Sequence, residues 1–340
     1  MAPRENDKVA IKMNDFEIID AHAHLVRTLE EEQEYVAAPG RRISDRYGTP
    51  ERAIEHMNRL GIAKMVLLAL IPRQYRKPLF EKARLSQLPT QQSQEERKRI
   101  GQQIAPLIRS MNEWGCGTAK CFPRIIPFIC VSDDLGDSEV MVEEVVLRAA
   151  QGAKGIKIHP GMFSFFPHDK RFWPVYEKCQ ELGLPIVSDS GPFPHSGALI
   201  THPLQMASQM EHAHHIDYGE PQHFANVLEA FPRLTLVLAH LGSAWWDERV
   251  ELALRYPNVY FDTSQGFSAA DRTSLIPHRS LAEEDAPRII RKIGVHRVMF
   301  GSDFPPLDHQ QQLEQILRLP LNDEEKRMIL SENARRILHI

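Results

Sequence analysis

The stretch Phe16-Glu17-Ile18-Ile19-Asp20-Ala21-His22-Ala23-His24-Leu25 joins a short apolar run to two histidines one residue apart. Phe16–Asp20 reads as a strand. Alternate side chains of a strand share a face, so His22 and His24 are expected to project the same way from its end. Two imidazoles on one side of a strand end form half of a metal site. A His-x-His pair alone is common in loops, so its weight depends on what the chain places beside it.

Working outward, strand candidates recur with helical stretches between them. Pro50 to Leu60 reads as a helix, with Ala53, Ile54, Met57 and Leu60 on one side and Gly61 closing it. Lys64–Leu70 is a nearly continuous apolar run, as suits a parallel strand buried on both faces. Ile71 to Gln103 is rich in Arg, Lys and Gln with little apolar periodicity, and reads as a partly helical insertion. Ile104 to Trp114 is more helical. Further strands are expected at Arg124–Cys130, Gly155–His159, Leu184–Ser188, Leu234–Ala239, Val259–Asp262 and Arg297–Gly301. Helices are expected at Glu139–Ala150, Phe172–Leu182, Gln222–Ala230, Trp245–Arg255 and Ala286–Ile293, then near Gln310–Arg318 and Asp323–Leu338. A second insertion, Asp189 to Pro221, is rich in Gly, Pro and His. Eight strands alternating with helices predict a (β/α)8 TIM barrel with loop insertions. The competitor, a doubly wound open sheet, would be favoured by a glycine-rich phosphate turn after the first strand, and none is present.

Composition narrows the function classes. The net charge of −4 gives no overall basic footprint for nucleic acid. No window approaches the roughly 20 apolar residues of a membrane span. Residues 1–15 are polar, lack the apolar core of a secretory signal, and are expected to form a flexible arm before one barrel domain at 16–340. Cys116, Cys121, Cys130 and Cys179 do not make a paired zinc-ribbon pattern, and scattered thiols suggest a reducing, cytoplasmic setting.

Active sites of such barrels assemble at the C-terminal strand ends. Here those ends carry His22 and His24 (first), Lys157 and His159 (fourth), Asp189 (fifth), His240 (sixth), Asp262 (seventh) and Asp303 (eighth). A lone histidine there is more often a hydrogen-bonded structural residue, and a lone aspartate a helix cap; the combination points to one shared site. Asp262, in Asp-Thr-Ser, reads as a turn or cap rather than a base. Trp245, Trp246, Phe267 and Phe304 could line an apolar pocket, with core packing the default for any one of them.

His-x-His after strand one, Leu-Ala-His-Leu-Gly after strand six and Phe-Gly-Ser-Asp-Phe-Pro-Pro after strand eight resemble the amidohydrolase superfamily. The phrases KGIKIHP, ELGLPIV and SENARRIL resemble, more closely, its amidohydrolase-related branch, which includes aminocarboxymuconate semialdehyde decarboxylase-like enzymes. The resemblance runs from about residue 16 to the end, less the insertions. It implies that His22, His24 and Asp303 bind a divalent metal, Zn²⁺ first and Mn²⁺ as the alternative. The metal would lower the pKa of a bound water towards about 7, or polarise a substrate oxygen. Asp303 would also take the proton of the attacking water. His240 would be a general acid/base, and Lys157 would bind a substrate carboxylate. Dimers are usual in that branch, which leaves the oligomeric state open with a homodimer among the options.

One departure matters. Relatives usually carry a metal-binding histidine after strand five, where this chain has Asp189 in LPIVSDSG. Aspartate is itself a zinc ligand, so Asp189 is expected to join the shell, or else His159 completes it. His195, His202, His212, His214, His215 and His223 lie in or after the loop that follows, as solvated residues or as a lid. The leading expectation is a metal-dependent hydrolase of a small organic substrate, attacking an ester, lactone, amide or C–C bond. The alternative is a nonoxidative decarboxylase of an aromatic or muconate-type acid, with Lys157, Arg73 or Arg76 holding the carboxylate. A third reading is a non-catalytic ligand-binding barrel.

Overall fold

A computed structural model describes residues 16–31, 48–71, 73–83, 88–191, 218–267, 281–305 and 307–340. The expected arm at 1–15 and most of the loop at 189–221 lie outside them. Eight strands follow one another around a single parallel sheet: β1 (Ile18–Ala23), β2 (Ile62–Leu68), β3 (Ile125–Cys130), β4 (Gly155–Ile158), β5 (Ile186–Ser188), β6 (Leu236–Leu238), β7 (Val259–Asp262) and β8 (Val298–Met299). The chain returns to β1 through Ala21 N donating to Phe300 O at 2.8 Å, and past the strand ends through His24 N donating to Phe304 O at 2.7 Å. The expected (β/α)8 barrel is the observed fold.

Strand alternation divides the core in two. Ile19, Ala21, Val66, Leu68, Ile126, Phe128, Val187, Val237, Ala239 and Met299 fill the barrel interior. Their neighbours Ile18, Met65, Leu67, Ile125, Ile129, Ile156, Ile158 and Leu236 face the helices. Gly155 shows how tightly the interior is filled: a Cβ there would stand 2.1 Å from the Phe128 ring. Removing such a ring would cost about 3–5 kcal/mol.

The helices obey local rules. Pro50–Leu60 has proline in its first turn and buries Ala53, Met57 and Leu60, and Gly61 closes it at φ 71 with its N–H on Met57 O. Gly183 ends Trp173–Leu182 in the same way. The boundary expected at Gln103 is not observed. The segment Thr90–Cys121 is one helix, and its buried Ile100, Ile104, Ile108 and Met111 lie at helical spacing. Its first turns are mostly exposed, which is why they carry no apolar period. The shorter helix Arg73–Ala83 precedes it.

Candidate active site

The first strand holds a device that alternation alone does not give. Ile18 faces the helices, while Ile19 and Ala21 face the interior, so strict alternation would turn His22 outward. The pairing with β2 slips between Asp20 and Ala23: Asp20 stands opposite Met65 and Ala23 opposite Leu67, three residues against two. This bulge resets the phase, so that Ala23 packs outward and His22 and His24 both turn to the site. Gly301 makes room, because a Cβ there would lie 2.8 Å from the His22 Cβ. Asp20 faces outward, fully buried, and accepts from the backbone N–H of His22 and of Ser302 (both 3.0 Å) and from the Ser302 hydroxyl (2.6 Å). It thus ties the strand end of His22 to that of Asp303. Burial raises Asp20 to about 7.

His22, His24 and Asp303 come together, with one donor atom of each within 4.8 Å of the others. The Nδ1 of His24 bonds the Leu68 carbonyl oxygen at 2.9 Å. The Nδ1 of His22 bonds Asp262 Oδ2 at 2.9 Å. Only an N–H can satisfy a carbonyl or an ionised carboxylate, so each ring carries its proton on Nδ1 and turns a bare Nε2 toward Asp303. Those distances to Asp303 Oδ1 are 3.9 Å from His22 and 3.3 Å from His24. His22 Nε2 is buried with no hydrogen-bond partner among the described residues. Burial, and then the charge of Lys157, pushes His22 down to about 4 and keeps it neutral. Burial works against the charge of Asp303, but the positive field of the surrounding site outweighs it and holds the carboxyl well below the usual carboxylate range. Two imidazoles and a carboxylate, with outer partners fixing each ring, form a donor set that suits a divalent cation. His24 and Asp303 are partly exposed, which leaves one side open to an incoming group.

The other half of the site is closed. His240 Nε2 lies 2.8 Å from Asp189 Oδ2, and its Nδ1 lies 2.8 Å from Ser264 Oγ. Ser264 gives its own proton to Asp262 Oδ1, so its oxygen accepts from His240. Asp262 Oδ1 also accepts from the backbone N–H of His240 (3.2 Å) and of Ser264 (3.0 Å). Burial disfavours an imidazolium, but the adjacent carboxylate of Asp189 outweighs it and raises His240 above its ordinary value. Against burial, His159 and His240 hold Asp189 well below the carboxylate range. His240 and Asp303 both adopt left-handed backbone, φ 66 and 59. Such strain in non-glycine residues persists where surrounding contacts over-determine it.

Of the ligand set expected from the sequence, His159 and Asp189 fall outside the triad. His159 Nδ1 accepts from Met162 N at 3.2 Å, capping the short helix Pro160–Phe163. That puts the ring proton on Nε2, 3.4 Å from Asp189 Oδ2, so neither nitrogen of His159 offers a lone pair to a metal. Asp189 spends the same oxygen on His240. Lys157 faces the interior because Ile156 and Ile158 face the helices. It is fully buried, and its Nζ has no hydrogen-bond partner among the described residues. Burial lowers its pKa, opposed by Asp189, Asp262 and Asp303. Phe304 is not a pocket wall. It is fully buried, its ring stacked on His56 at 5.1 Å, and belongs to packing behind the site. Trp245 is half-buried at the start of the helix Trp246–Arg255, at φ 64.

Arg76 is already committed: it pairs with the buried Asp134 at 2.7 Å and donates to Met162 O and Phe163 O. The side chain of Arg73, and His195, His202, His212, His214 and His215, lie outside the described residues. His223 is half-buried against Phe166, 4.9 Å between ring centres. The sequence reading missed Ser264; it placed Asp262 on the tier of strand ends as a turn or cap, and the carboxylate does cap Ser264 N at 3.0 Å while its other oxygen holds His22. Ser264 left no signal beyond lying two residues after that acid.

No helix among the described residues is long and apolar enough to cross a membrane. No curated protein sequence matches this chain significantly. Among solved structures it is similar to an uncharacterized TIM-barrel protein from Bordetella bronchiseptica, at TM-score 0.63 and 18% identity over 95% of this chain and 99% of that one. It is similar to 2,6-dihydroxybenzoate decarboxylase from Rhizobium, at TM-score 0.61 and 16% identity over 95% and 99%. It is also similar to a manganese-bound 5-carboxyvanillate decarboxylase from Novosphingobium aromaticivorans, at TM-score 0.63 and 16% identity over 97% of each chain. At these identities the likeness shows the barrel. The Amidohydrolase family model matches residues 19–340, and with that extent the chain belongs to the amidohydrolase family.

Proposed function

We propose that this protein is a metal-dependent decarboxylase of a small aromatic or muconate-type acid. One observation carries the reading: the buried ammonium of Lys157 stands among three carboxylates without a hydrogen-bond partner among the described residues. A buried ammonium that makes no hydrogen bond is costly, and a substrate carboxylate would supply the missing acceptors. The two decarboxylases of similar fold support the choice.

His22, His24 and Asp303 would hold the cation, Zn²⁺ or Mn²⁺. When bound, it supplies Lewis-acid polarisation of a substrate oxygen. This chain's own residues do the rest. Lys157 binds and orients the departing carboxylate. The bond from that carboxylate to the substrate carbon breaks, its electron pair stays on the carbon, and CO₂ leaves. A proton shared by Asp189 and His240, 2.8 Å apart, is delivered to that carbon and restored from solvent. Asp262 and Ser264 hold the imidazole during delivery.

Hydrolysis is the second reading. It is favoured by Asp303, the carboxylate of the triad, which is kept ionised and so can accept the proton of an attacking water. The test is the metal-loaded protein with carboxylated aromatics, esters and lactones, run in D₂O. Decarboxylation predicts CO₂ release and one deuterium at the vacated carbon, with KM raised in Lys157→Met. Ester or lactone opening without CO₂ release would move the assignment to hydrolysis.

A further inference from the structure

Arg249 lies on the helix Trp246–Arg255 and is fully buried. Arginine is almost never fully buried unless it is paired. Yet among the described residues its hydrogen bonds go only to Ser190 and to backbone carbonyls. One terminal nitrogen donates to Ala244 O. The other donates to Ser190 O (2.7 Å), Ser190 Oγ (3.1 Å) and, at 3.5 Å, to Ala239 O. The Ser190 hydroxyl in turn donates to Ala239 O at 2.7 Å. Ser190 directly follows Asp189, and Ala239 directly precedes His240. The guanidinium therefore clips together the ends of β5 and β6, one residue away from the Asp189–His240 contact on each side.

We infer that Arg249 is a positioning residue for the Asp189–His240 pair, with the Asp189 carboxylate as its counter-charge. A rigid fork with five donors suits the bridging role, because it can bind carbonyls of two strands at once. The charge suits the second role. A buried cation without a hydrogen-bonded acid needs a carboxylate in its field, and Asp189 stands first among those that favour the charged guanidinium, ahead of Asp262. Each charge makes the other tolerable in the interior. The consequence for turnover rests on reading Asp189 and His240 as the proton-delivering pair; the consequence for stability does not.

The test is a double-mutant cycle of urea unfolding midpoints on the full chain: wild type, Arg249→Gln, Asp189→Asn and both together. Each single variant strands one buried charge and lowers the midpoint. The double variant removes both charges, and its midpoint lies well above the value reached by adding the two single shifts. Additive shifts overturn the inference, because packing of Arg249 on backbone carbonyls is indifferent to the charge at Asp189. Arg249→Met repeats the cycle without a donor. Should neither arginine variant accumulate as folded protein, both are made in the Asp189→Asn background; recovery there supports the inference, and failure there overturns it. With a turnover assay in hand, Arg249→Gln lowers kcat by roughly tenfold to a hundredfold at unchanged KM, and lowers it no further on top of Asp189→Asn. A change in KM alone overturns the positioning role.

Discussion

The two halves of the site use the same residue types in opposite ways. In the half built by His22, His24 and Asp303, each ring spends Nδ1 on an outer partner and keeps Nε2 bare. In the half built by Asp189, His159 and His240, both nitrogens of each ring are engaged, on Asp189 and either a backbone N–H or a serine hydroxyl. One half has lone pairs to offer and the other has protons to hold. A count of histidines and carboxylates at strand ends cannot tell them apart; the outer partners do.

The largest expected effect breaks the open half. His22→Ala or Asp303→Ala should reduce metal content from about one ion per chain to background, measured by inductively coupled plasma mass spectrometry. The loss of affinity should exceed the roughly 10–100-fold that outer partners cost. Metal retained in both variants would dismiss the triad as the binding site.

Outer partners should sharpen the contrast. Asp262→Asn removes the carboxylate that fixes His22 Nδ1, and should weaken metal binding by about 10–100-fold in a competition titration. Asp189→Asn should leave that affinity unchanged and lower turnover instead. If Asp189→Asn sheds metal as readily as Asp262→Asn, Asp189 belongs to the ligand shell after all.

Gly301→Ala probes the same half by steric means. The added Cβ would meet His22 Cβ at 2.8 Å, with Ser264 Cβ at 3.3 Å. Overpacking of this kind typically costs about 1–3 kcal/mol, read as a lower unfolding midpoint, and the displaced ring should also bind metal less tightly. Wild-type stability together with wild-type affinity would show that β8 can move aside freely.

The distinction explains what could be read from the chain itself. Strand order was legible because each buried strand leaves a short apolar run, and the tier of polar residues at the strand ends was legible because a barrel places those ends together. The bulge at His22 was not, since it exists only in the pairing of Asp20 and Ala23 with β2. Asp262 looked like a turn because Asp-Thr-Ser is turn chemistry, and only the fold brings His22 to it across 240 residues. Nothing in the sequence singles out Arg249, because a charged residue on a helix ordinarily faces water, and only the packed helix turns it inward. His159 and Asp189 were placed on the right tier, but which valences they had left depended on neighbours from other strands.

The smallest predicted effect tests the closed half through pH. His159 is pushed down to about 3 by burial, with Lys157 acting in the same direction and Asp189 against it. The unfolded ring titrates near 6.5. Below that value the unfolded chain binds a proton that the folded protein refuses, so stability falls as pH drops from about 6.5 toward 3. Asp189 contributes no slope until the pH nears its ordinary carboxylate value, because its folded value lies lower still. Asp20 runs the other way. Raised to about 7, it takes up a proton in the folded state over the same range and adds stability as pH falls. Urea unfolding of metal-free wild type beside His159→Gln cancels that contribution. The gap between the two curves should change by about 1.4 kcal/mol per pH unit below pH 6.5, with wild type losing more. Parallel curves would mean that His159 accepts a proton in place, and that its Nδ1 is not held as a helix cap.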